Sequence, residues 1–473
     1  DLMRGVSSCG EVFLTVKLTV VGGAGVRSPL LMPALARRQD AIDLREVVLV
    51  DGDEAKLAVM GPLCRHSARQ AGGAFDVTWT TELGGALPGT GAVITTIRPG
   101  TEMGRVADER IALQHGVLGQ ETTGAGGFAM ALRTIPAVVK IAQQMVRYCP
   151  TAPLLNFTNP AGLVVQALIA QFPHLQIVGI CDTPTSMRRQ VAAAFNRSAE
   201  EVPVRFFGLN HLSWMSVALV DGANIVPRIV QDPALRAQLP ELALFDVELL
   251  QLLNMLPNEY LYFYYYRERA VANIRAASET RGQQVQRLSA QLVRDLAEID
   301  PAARPEPAWA RYQHYLNERR GTYLAMESGS SSVETGDEET EADHAGEGEG
   351  YGGVALDILT AATGHPSELV VNVSNQGAIP GMRDDDVVEV TCRCDNRGIH
   401  PIPLDAIPED QLLLMQAVKR YERLTVEAIA MRSRARAVEA LLVHPLIGSY
   451  SLARGLVDAY LEEHRVYVGE WND

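Results

Sequence analysis

Two short stretches of the sequence place a metal-ligand side chain beside a polar neighbour inside an apolar run. Cys181 and Asp182 lie in "VGICDTP" at 178–184, and Asn210 and His211 lie in "FGLNHLSW" at 207–214. A thiolate and a neutral imidazole are good ligands for a divalent cation, and two protein ligands leave positions open for substrate oxygens. We predict a metal site at Cys181 and His211. A small buried cysteine and a core histidine are the alternative interpretation, which spacing alone leaves open.

Other polar clusters follow predicted strands. Arg98 lies in "TTIRPG", Glu121 in "LGQETTGAGG" and Asn159 in "NFTNPAG". Because the carboxyl ends of the strands in an open parallel sheet line one crevice, we expect all of these clusters, those of Cys181 and His211 included, to converge there.

A tyrosine-rich segment supplies a candidate base. A tyrosine in a cationic site can remove a proton because its pKa is lowered there. An aromatic stripe is more often core packing, so we expect one catalytic tyrosine at most among Tyr260, Tyr262, Tyr264, Tyr265 and Tyr266.

A glycine-rich turn predicts a dinucleotide site. "GGAGVRS" at 22–28 follows a strand and precedes a helix, and Gly22, Gly23 and Gly25 let the backbone approach a pyrophosphate, although Ser28 replaces the third glycine of the usual pattern. Asp51 ends the second strand, where a carboxylate can accept hydrogen bonds from the adenosine ribose and would repel the 2′-phosphate of NADP. NAD binding is therefore predicted, with a tight turn that binds nothing as the alternative.

The elements around these residues predict an α/β protein. Strand-like runs alternate with helix-like runs up to about residue 200, which is typical of a doubly wound, Rossmann-type parallel sheet. The runs are "VKLTVVG", "EVVLVD", "AVITTI", "APLLNFT" and "QIVGICD". Longer helical stretches and the strands "LVVNVSN" and "DDVVEVTCRC" follow. We predict an extension at 1–15, an NAD-binding domain at 16–204 and a mixed α+β domain at 205–473.

Composition narrows the function. The 473 residues are 47% hydrophobic, which suits two domains, and the net charge of −15 argues against nucleic-acid or anionic-membrane partners. Six scattered cysteines favour a reducing cytoplasm over a disulfide framework. We expect no membrane span and no cleaved leader. The segment 328–350 carries eight acidic residues and no Lys or Arg, so a flexible loop is predicted there.

The longer motifs together resemble glycoside hydrolase family 4, over roughly residues 17–465. They are most similar to the 6-phospho-β-glucosidase branch. The motifs are "VVGGAG", "IRPG", "GVLGQETTGAGGFAMALRTIP", "NFTNPAG", "ICDTP", "FGLNHLSW", "PNEYLYFYYY", "TRGQQV" and "VVNVSNQGAIPGMRDDDVVEV".

The resemblance implies an NAD-dependent elimination mechanism, in contrast to the two-carboxylate mechanism of most glycosidases. In the family scheme, NAD takes a hydride from C3 of the sugar, a tyrosine removes the acidified C2 proton, and the C1 group is eliminated. Water then adds to the enone, and the cofactor reduces C3 again. The resemblance also implies a homodimer or homotetramer that acts on a small sugar.

The resemblance assigns roles to individual residues. Manganese or another divalent cation is held by Cys181 and His211, and it stabilises the enolate. Tyr260, in "NEYL", is the base, Glu121 raises its basicity, and Asp182 protonates the leaving oxygen. Arg98 lies between the cofactor and the sugar, and the further substrate contacts are Asn159, Asn210 and Arg281.

Departures from the family pattern keep alternatives open. Asp182 stands where the β branch often has Asn, which favours 6-phospho-α-glucosides. The acidic segment would repel a 6-phosphate, which favours unphosphorylated α- or β-glucosides. Outside the family, the rivals are a malate/lactate-type NAD dehydrogenase, a non-catalytic sugar or nucleotide sensor, and a glycosidase that uses acid/base chemistry alone.

Overall fold

The computed structural model of the protein describes residues 17–320 and 349–472. The predicted extension at 1–15 and nearly all of the predicted acidic loop at 328–350 lie outside the described residues.

A nine-stranded sheet forms the centre of the described chain, in the order β13-β12-β11-β6-β5-β4-β1-β2-β3. Strands β1 to β6 pair with one another in parallel, and their order 3-2-1-4-5-6 is that of a Rossmann fold. The predicted fold class is confirmed. The strands of this sheet are β1 Lys17–Val21, β2 Glu46–Val50, β3 Asp76–Thr80, β4 Ala92–Thr95, β5 Leu154–Asn156, β6 Ile177–Gly179, β11 Ser367–Ser374, β12 Val387–Asp395 and β13 Gly398–Pro401.

Strands from the C-terminal half extend this sheet. β11 pairs antiparallel with β6, and β12 and β13 follow antiparallel to it. The addition covers the edge that β6 would otherwise expose. The boundary predicted at 204/205 therefore separates two chain segments that share one sheet.

A second, antiparallel sheet has the order β10-β8-β7, with β9 paired to β8. Its strands are β7 Val204–Leu209, β8 Leu212–Val220, β9 Ala223–Asn224 and β10 Leu256–Pro257. His211 lies in the tight turn between β7 and β8 with φ of +62°. The expectation that His211 follows a strand of the parallel sheet is therefore wrong, because a short apolar run looks the same in a parallel strand and in a hairpin.

Helices cover the sheets. The α-helices are Ser28–Arg38, Glu54–Gln70, Leu83–Ala86, Thr101–Gln114, Gly124–Tyr148, Ala161–Gln171, Thr183–Ala194, Val226–Gln231, Pro233–Arg236, Val247–Leu253, Tyr262–Tyr265, Arg267–Ala276, Arg281–Ile299, Pro305–Arg320, Glu349–Ala362, Glu409–Met431, Arg434–Val443, Tyr450–Glu463 and Arg465–Val468, and short 3-10 turns occur at Ala199–Glu201, Pro240–Leu244 and Glu259–Leu261.

Helix Gly124–Tyr148 is the one described helix that is long and apolar enough to cross a membrane. The expectation that the sequence has no apolar run of this length is therefore wrong. Of its most apolar window, 78% is buried inside the protein. Its Arg133 pairs in the interior with Asp108 at 2.6 Å. A buried core helix accounts for this apolar composition.

A small second hydrophobic core packs next to the glycine turn at 22–28. Helices Arg281–Ile299 and Pro305–Arg320 pack on helix Glu54–Gln70, burying Leu292 and Tyr312. The Tyr312 hydroxyl donates to the backbone oxygen of Val26 at 2.8 Å. The turn after β1 is thereby tied to helices more than 250 residues along the chain.

Candidate active site

The glycine turn has the backbone that its sequence predicts. The amides of Gly22 and Gly23 donate to the Val50 oxygen at 2.8 and 3.0 Å. Gly22 has φ of +96°, and a Cβ there would lie 2.5 Å from the Thr96 oxygen. Only glycine fits at this position, which brings the end of β1 close to the end of β4.

Asp51 and Ser28 give the turn polar groups suited to a dinucleotide. The Asp51 carboxylate accepts from the Ala24 amide at 3.2 Å and from the Asp53 amide at 3.1 Å, so it lies beside the turn. The Ser28 hydroxyl, in the first turn of helix Ser28–Arg38, is buried with no hydrogen-bond partner in the described chain. A phosphate oxygen at this helix N-terminus would supply the missing acceptor, so the residues present fit NAD.

The hydrogen bonds of Thr122 determine which nitrogen of His211 is free. The Thr122 hydroxyl donates its single proton to Gln120 Oε1 at 2.7 Å, and it lies 2.6 Å from His211 Nδ1. The hydroxyl must therefore accept from Nδ1–H, which leaves the lone pair of Nε2 available to a cation. Burial lowers the pKa of His211 to about 4, although Asp182 and Glu121 act in the opposite direction. The imidazole is neutral at neutral pH, as a metal ligand must be.

Tyr260 lies directly against this histidine. The two rings are parallel, with their centroids 3.7 Å apart. Asn258 begins the 3-10 turn by accepting from the Tyr260 amide at 3.0 Å, and buried Glu259 accepts from the Thr183 hydroxyl at 3.1 Å. Thr183 is two residues beyond Cys181, so the tyrosine turn is joined to the end of β6.

Cys181 is a buried thiol near two carboxylates. Burial raises its pKa well above the ordinary value, and the charges of Glu389 and Asp182 raise it further. Thr183, two residues beyond Cys181, bonds to Glu259, and the next residue, Tyr260, stacks on His211, so the segment that carries Cys181 lies near this imidazole. Among the described residues, no group of three or more His, Cys, Asp or Glu side chains could hold a metal ion. The pair fits a cation whose other ligands are substrate oxygens.

Arginines surround the predicted acidic residues. Arg98 donates to Glu121 at 2.5 Å, and Arg105 lies 3.2 Å from the same oxygen. Burial alone would raise the pKa of Glu121, but the charges of Arg105 and Arg98 hold it well below its usual range. Asp182 is nearly half exposed, and Arg27 of the glycine turn lies 3.8 Å from it.

The remaining predicted substrate residues border the same region. Asn159 precedes Pro160 through a cis peptide bond. A cavity next to it is lined by Thr122, Asn210, Tyr264 and His444 among others. Arg281 begins helix Arg281–Ile299 and lines a second cavity with Arg105 and Gln120.

Sequence reasoning missed three supporting residues. Thr122 and Glu259 lie inside quoted motifs next to Glu121 and Tyr260, so their positions were a usable signal. Glu389 also lies inside a quoted motif, at the end of "RDDDVVEV", but the strand alternation there marks no chemistry, and its side-chain partner Ser213 is 176 residues away.

Comparison with known proteins gives a consistent result along the chain. Residues 17–197 match the family profile described as family 4 glycosyl hydrolase, and residues 206–447 match the profile of the family 4 glycosyl hydrolase C-terminal domain. A probable 6-phospho-beta-glucosidase of Bacillus subtilis is 29% identical, over 96% of this chain and 98% of its own length.

Two solved structures have the same fold over their whole length. The 6-phospho-beta glucosidase of Thermotoga maritima, solved with manganese, NAD⁺ and glucose-6-phosphate, is 26% identical with a TM-score of 0.79, covering 96% of this chain and 99% of its own. A 6-phospho-alpha-glucosidase from gut microorganisms, solved with NAD and Mn²⁺, is 26% identical with a TM-score of 0.78, covering 97% of this chain and 100% of its own.

Proposed function

Because the chain belongs to glycoside hydrolase family 4, we propose that it hydrolyses 6-phospho-β-glucosides with NAD and a divalent cation, manganese by preference. The observation that carries the proposal is the parallel stack of Tyr260 on His211 at 3.7 Å, with the Nε2 lone pair of His211 left available by the bond between Nδ1 and Thr122. A phenol stacked on the proposed cation ligand His211 supports this chemistry, because a simple dehydrogenase does not require such a tyrosine.

NAD and a divalent cation would supply chemistry that the side chains lack. NAD, which Gly22, Gly23, Gly25 and Asp51 would hold, would supply reversible hydride transfer at C3 of the sugar. A divalent cation, which Cys181 and His211 would hold, would supply a Lewis acid that makes the C2 proton acidic.

The side chains carry out the proton transfers. Tyr260 removes the C2 proton with its phenolate oxygen, and the nearby cation favours that ionised form. Thr122 holds the imidazole in the tautomer that keeps its Nε2 lone pair free. Glu121 stays ionised between Arg98 and Arg105, so its negative charge favours loss of the proton toward the tyrosine.

Asp182 is the proposed acid for the leaving oxygen. Its side chain is 43% exposed at the start of helix Thr183–Ala194, so it can reach a departing aglycone and take a proton back from water. Asn159, Asn210, Arg98 and Arg281 are the proposed contacts to sugar hydroxyls or to the 6-phosphate, and arginine suits either because it donates paired hydrogen bonds.

The presence of Asp at position 182, where the β branch often has Asn, supports a second candidate, a 6-phospho-α-glucosidase. The 6-phospho-alpha-glucosidase structure from gut microorganisms resembles this chain as closely as the β-specific one. The two candidates share every proposed residue and differ in the anomer that is eliminated.

A substrate panel tests the proposal. Nitrophenyl α- and β-glucosides, each with and without a 6-phosphate, are assayed with NAD, Mn²⁺ and a thiol reductant. We expect nitrophenol release from a 6-phosphoglucoside without net NADH, and loss of activity after chelation. Stoichiometric NADH would instead indicate a dehydrogenase. Activity of demonstrably metal-free protein would contradict the mechanism, and turnover of only unphosphorylated sugars would contradict the substrate class.

The enzyme is further proposed to be a cytoplasmic homodimer or homotetramer with an NAD-binding domain at 16–204 and a substrate domain at 205–473. The described cysteines are all free and buried, which suits a reducing compartment. Light scattering of the purified protein tests the assembly.

A further inference from the structure

A wholly buried carboxylate lies behind the proposed cation site with no role in the mechanism above. Glu389, in the middle of β12, is 0% exposed. Its register partner on β11 is Asn372, whose own partner on β6 is Gly179, two residues before Cys181. Three residues, Gly179, Asn372 and Glu389, therefore lie in one row across the sheet. This row is at the end of β6, two residues before Cys181.

Three neutral groups donate to this carboxylate. Ser213 donates to Oε1 at 2.7 Å, and the side-chain amides of Asn372 and Asn210 donate to Oε2 at 3.1 and 3.2 Å. The amide oxygen of Asn372 is left buried without a hydrogen-bond partner. Because Asn210 immediately precedes His211, these bonds join the carboxylate to the turn that presents the imidazole.

Glu389 lacks the counter-charge that a buried carboxylate ordinarily needs. Within residues 17–320 and 349–472, no Lys, Arg or His side chain forms an ion pair with it, whereas Glu121 has Arg98 and Arg105 and Asp182 has Arg27. Burial raises the pKa of Glu389, with the three hydrogen bonds acting against that effect. An unpaired buried charge is costly, and a cation nearby would compensate it.

The geometry places Glu389 near both proposed ligands. It shares a register row with Gly179, two residues before Cys181, and it accepts a hydrogen bond from Asn210, the chain neighbour of His211. A divalent ion bound to one thiolate and one neutral imidazole keeps one positive charge. One carboxylate behind the ligands balances it.

We propose that Glu389 is a positioning residue that balances the charge of the divalent cation and, through Asn210, orients the turn carrying His211. The inference rests on the proposed metal site. Groups of this kind behind the metal ligands typically contribute about 10- to 100-fold to metal affinity.

The test is Mn²⁺ binding to full-length variants with NAD present, with free Mn²⁺ measured by electron paramagnetic resonance. Glu389→Gln keeps the size and can keep all three hydrogen bonds, since the Ser213 hydroxyl can also accept. We expect its Mn²⁺ Kd to rise about 10-fold or more, with an unchanged NAD Kd. The metal-free variant should unfold at the same temperature as wild type or higher, because an uncompensated buried charge is gone. If Glu389 were purely structural, the variant would lose both Mn²⁺ affinity and unfolding temperature.

Two further variants keep the inference decidable. Glu389→Asp retains the charge but draws the carboxylate back from its three donors, so we expect its Mn²⁺ Kd to lie between those of wild type and Glu389→Gln. Glu368→Gln, on the adjacent strand β11, removes a carboxylate that already pairs with Arg205 at 3.0 Å, and it should bind Mn²⁺ like wild type. Wild-type affinity in Glu389→Gln, or weaker binding in Glu389→Asp than in Glu389→Gln, would overturn the role of Glu389. Failure of the wild-type protein itself to bind Mn²⁺ would overturn the proposed metal site and this inference with it.

Discussion

Replacing Thr122 by valine tests the hydrogen-bond chain that controls His211. The change keeps the shape of the side chain but removes the oxygen that lies 2.6 Å from Nδ1. His211 is 5% exposed, so water cannot easily take the place of that acceptor. A buried N–H without a partner costs about 1–3 kcal/mol, which corresponds to roughly 10- to 100-fold in metal affinity if the ring turns or changes tautomer to recover a bond.

The measurement is a Mn²⁺ titration followed by electron paramagnetic resonance, with NAD present. We expect Thr122→Val to raise the Mn²⁺ Kd by about 10- to 100-fold, and kcat/KM to fall in parallel when Mn²⁺ is limiting. Thr122→Ser retains the hydroxyl and is the matched control, with a Kd close to wild type. If the valine variant binds Mn²⁺ as tightly as the serine variant, the tautomer argument is wrong.

Three further predictions follow from the site. Tyr260→Phe should lower kcat by about 10²- to 10⁴-fold with an unchanged Mn²⁺ Kd, and should stop exchange of a C2 deuterium with solvent; continued exchange would exclude Tyr260 as the base. Asp51→Asn should raise the KM for NAD by about 10- to 100-fold and reduce discrimination against NADP, measured with both cofactors; an unchanged preference would remove Asp51 from the ribose site. Burial lowers the pKa of His444 in the folded protein to about 3. As the pH falls below about 6.5, this histidine is therefore protonated in the unfolded chain but not in the folded one, and the free energy of unfolding decreases until the pH reaches about 3. His444→Asn should therefore lose roughly 2 kcal/mol less unfolding free energy than wild type between about pH 7 and pH 5 in urea titrations, and equal losses would contradict this.

Local sequence signals were sufficient for the parallel half of the fold. Strands β1, β2, β4, β5 and β6 appear where apolar, β-branched runs predict them, because buried parallel strands have a continuous apolar pattern. Asp51 and Cys181 could be placed for the same reason, since each follows such a strand. The addition of β11 to the edge of β6 could not be predicted, because strand pairing over nearly 200 residues depends on tertiary packing.

The candidate site was predictable in its residue types but only partly in its geometry. The motifs named Cys181, His211 and Tyr260, and the structure brings His211 and Tyr260 into ring contact. The sequence pattern could not distinguish a hairpin turn from a strand end, so it misplaced His211. Glu389 was missed because an acidic residue inside a strand usually faces solvent, and only the distant Ser213 and Asn210 reveal that it is buried.

The pairing of β11 with β6 also limits how a sugar can enter the protein. Strand β6, which leads to Cys181, and strand β12, which carries Glu389, belong to one sheet. Neighbouring strands stay about 4.8 Å apart while their hydrogen bonds are intact. Separation of the N-terminal and C-terminal segments at this point would break the pairing of β11 with β6 at Asn372 and Gly179. We therefore expect substrate to enter and product to leave through movement of segments outside this sheet.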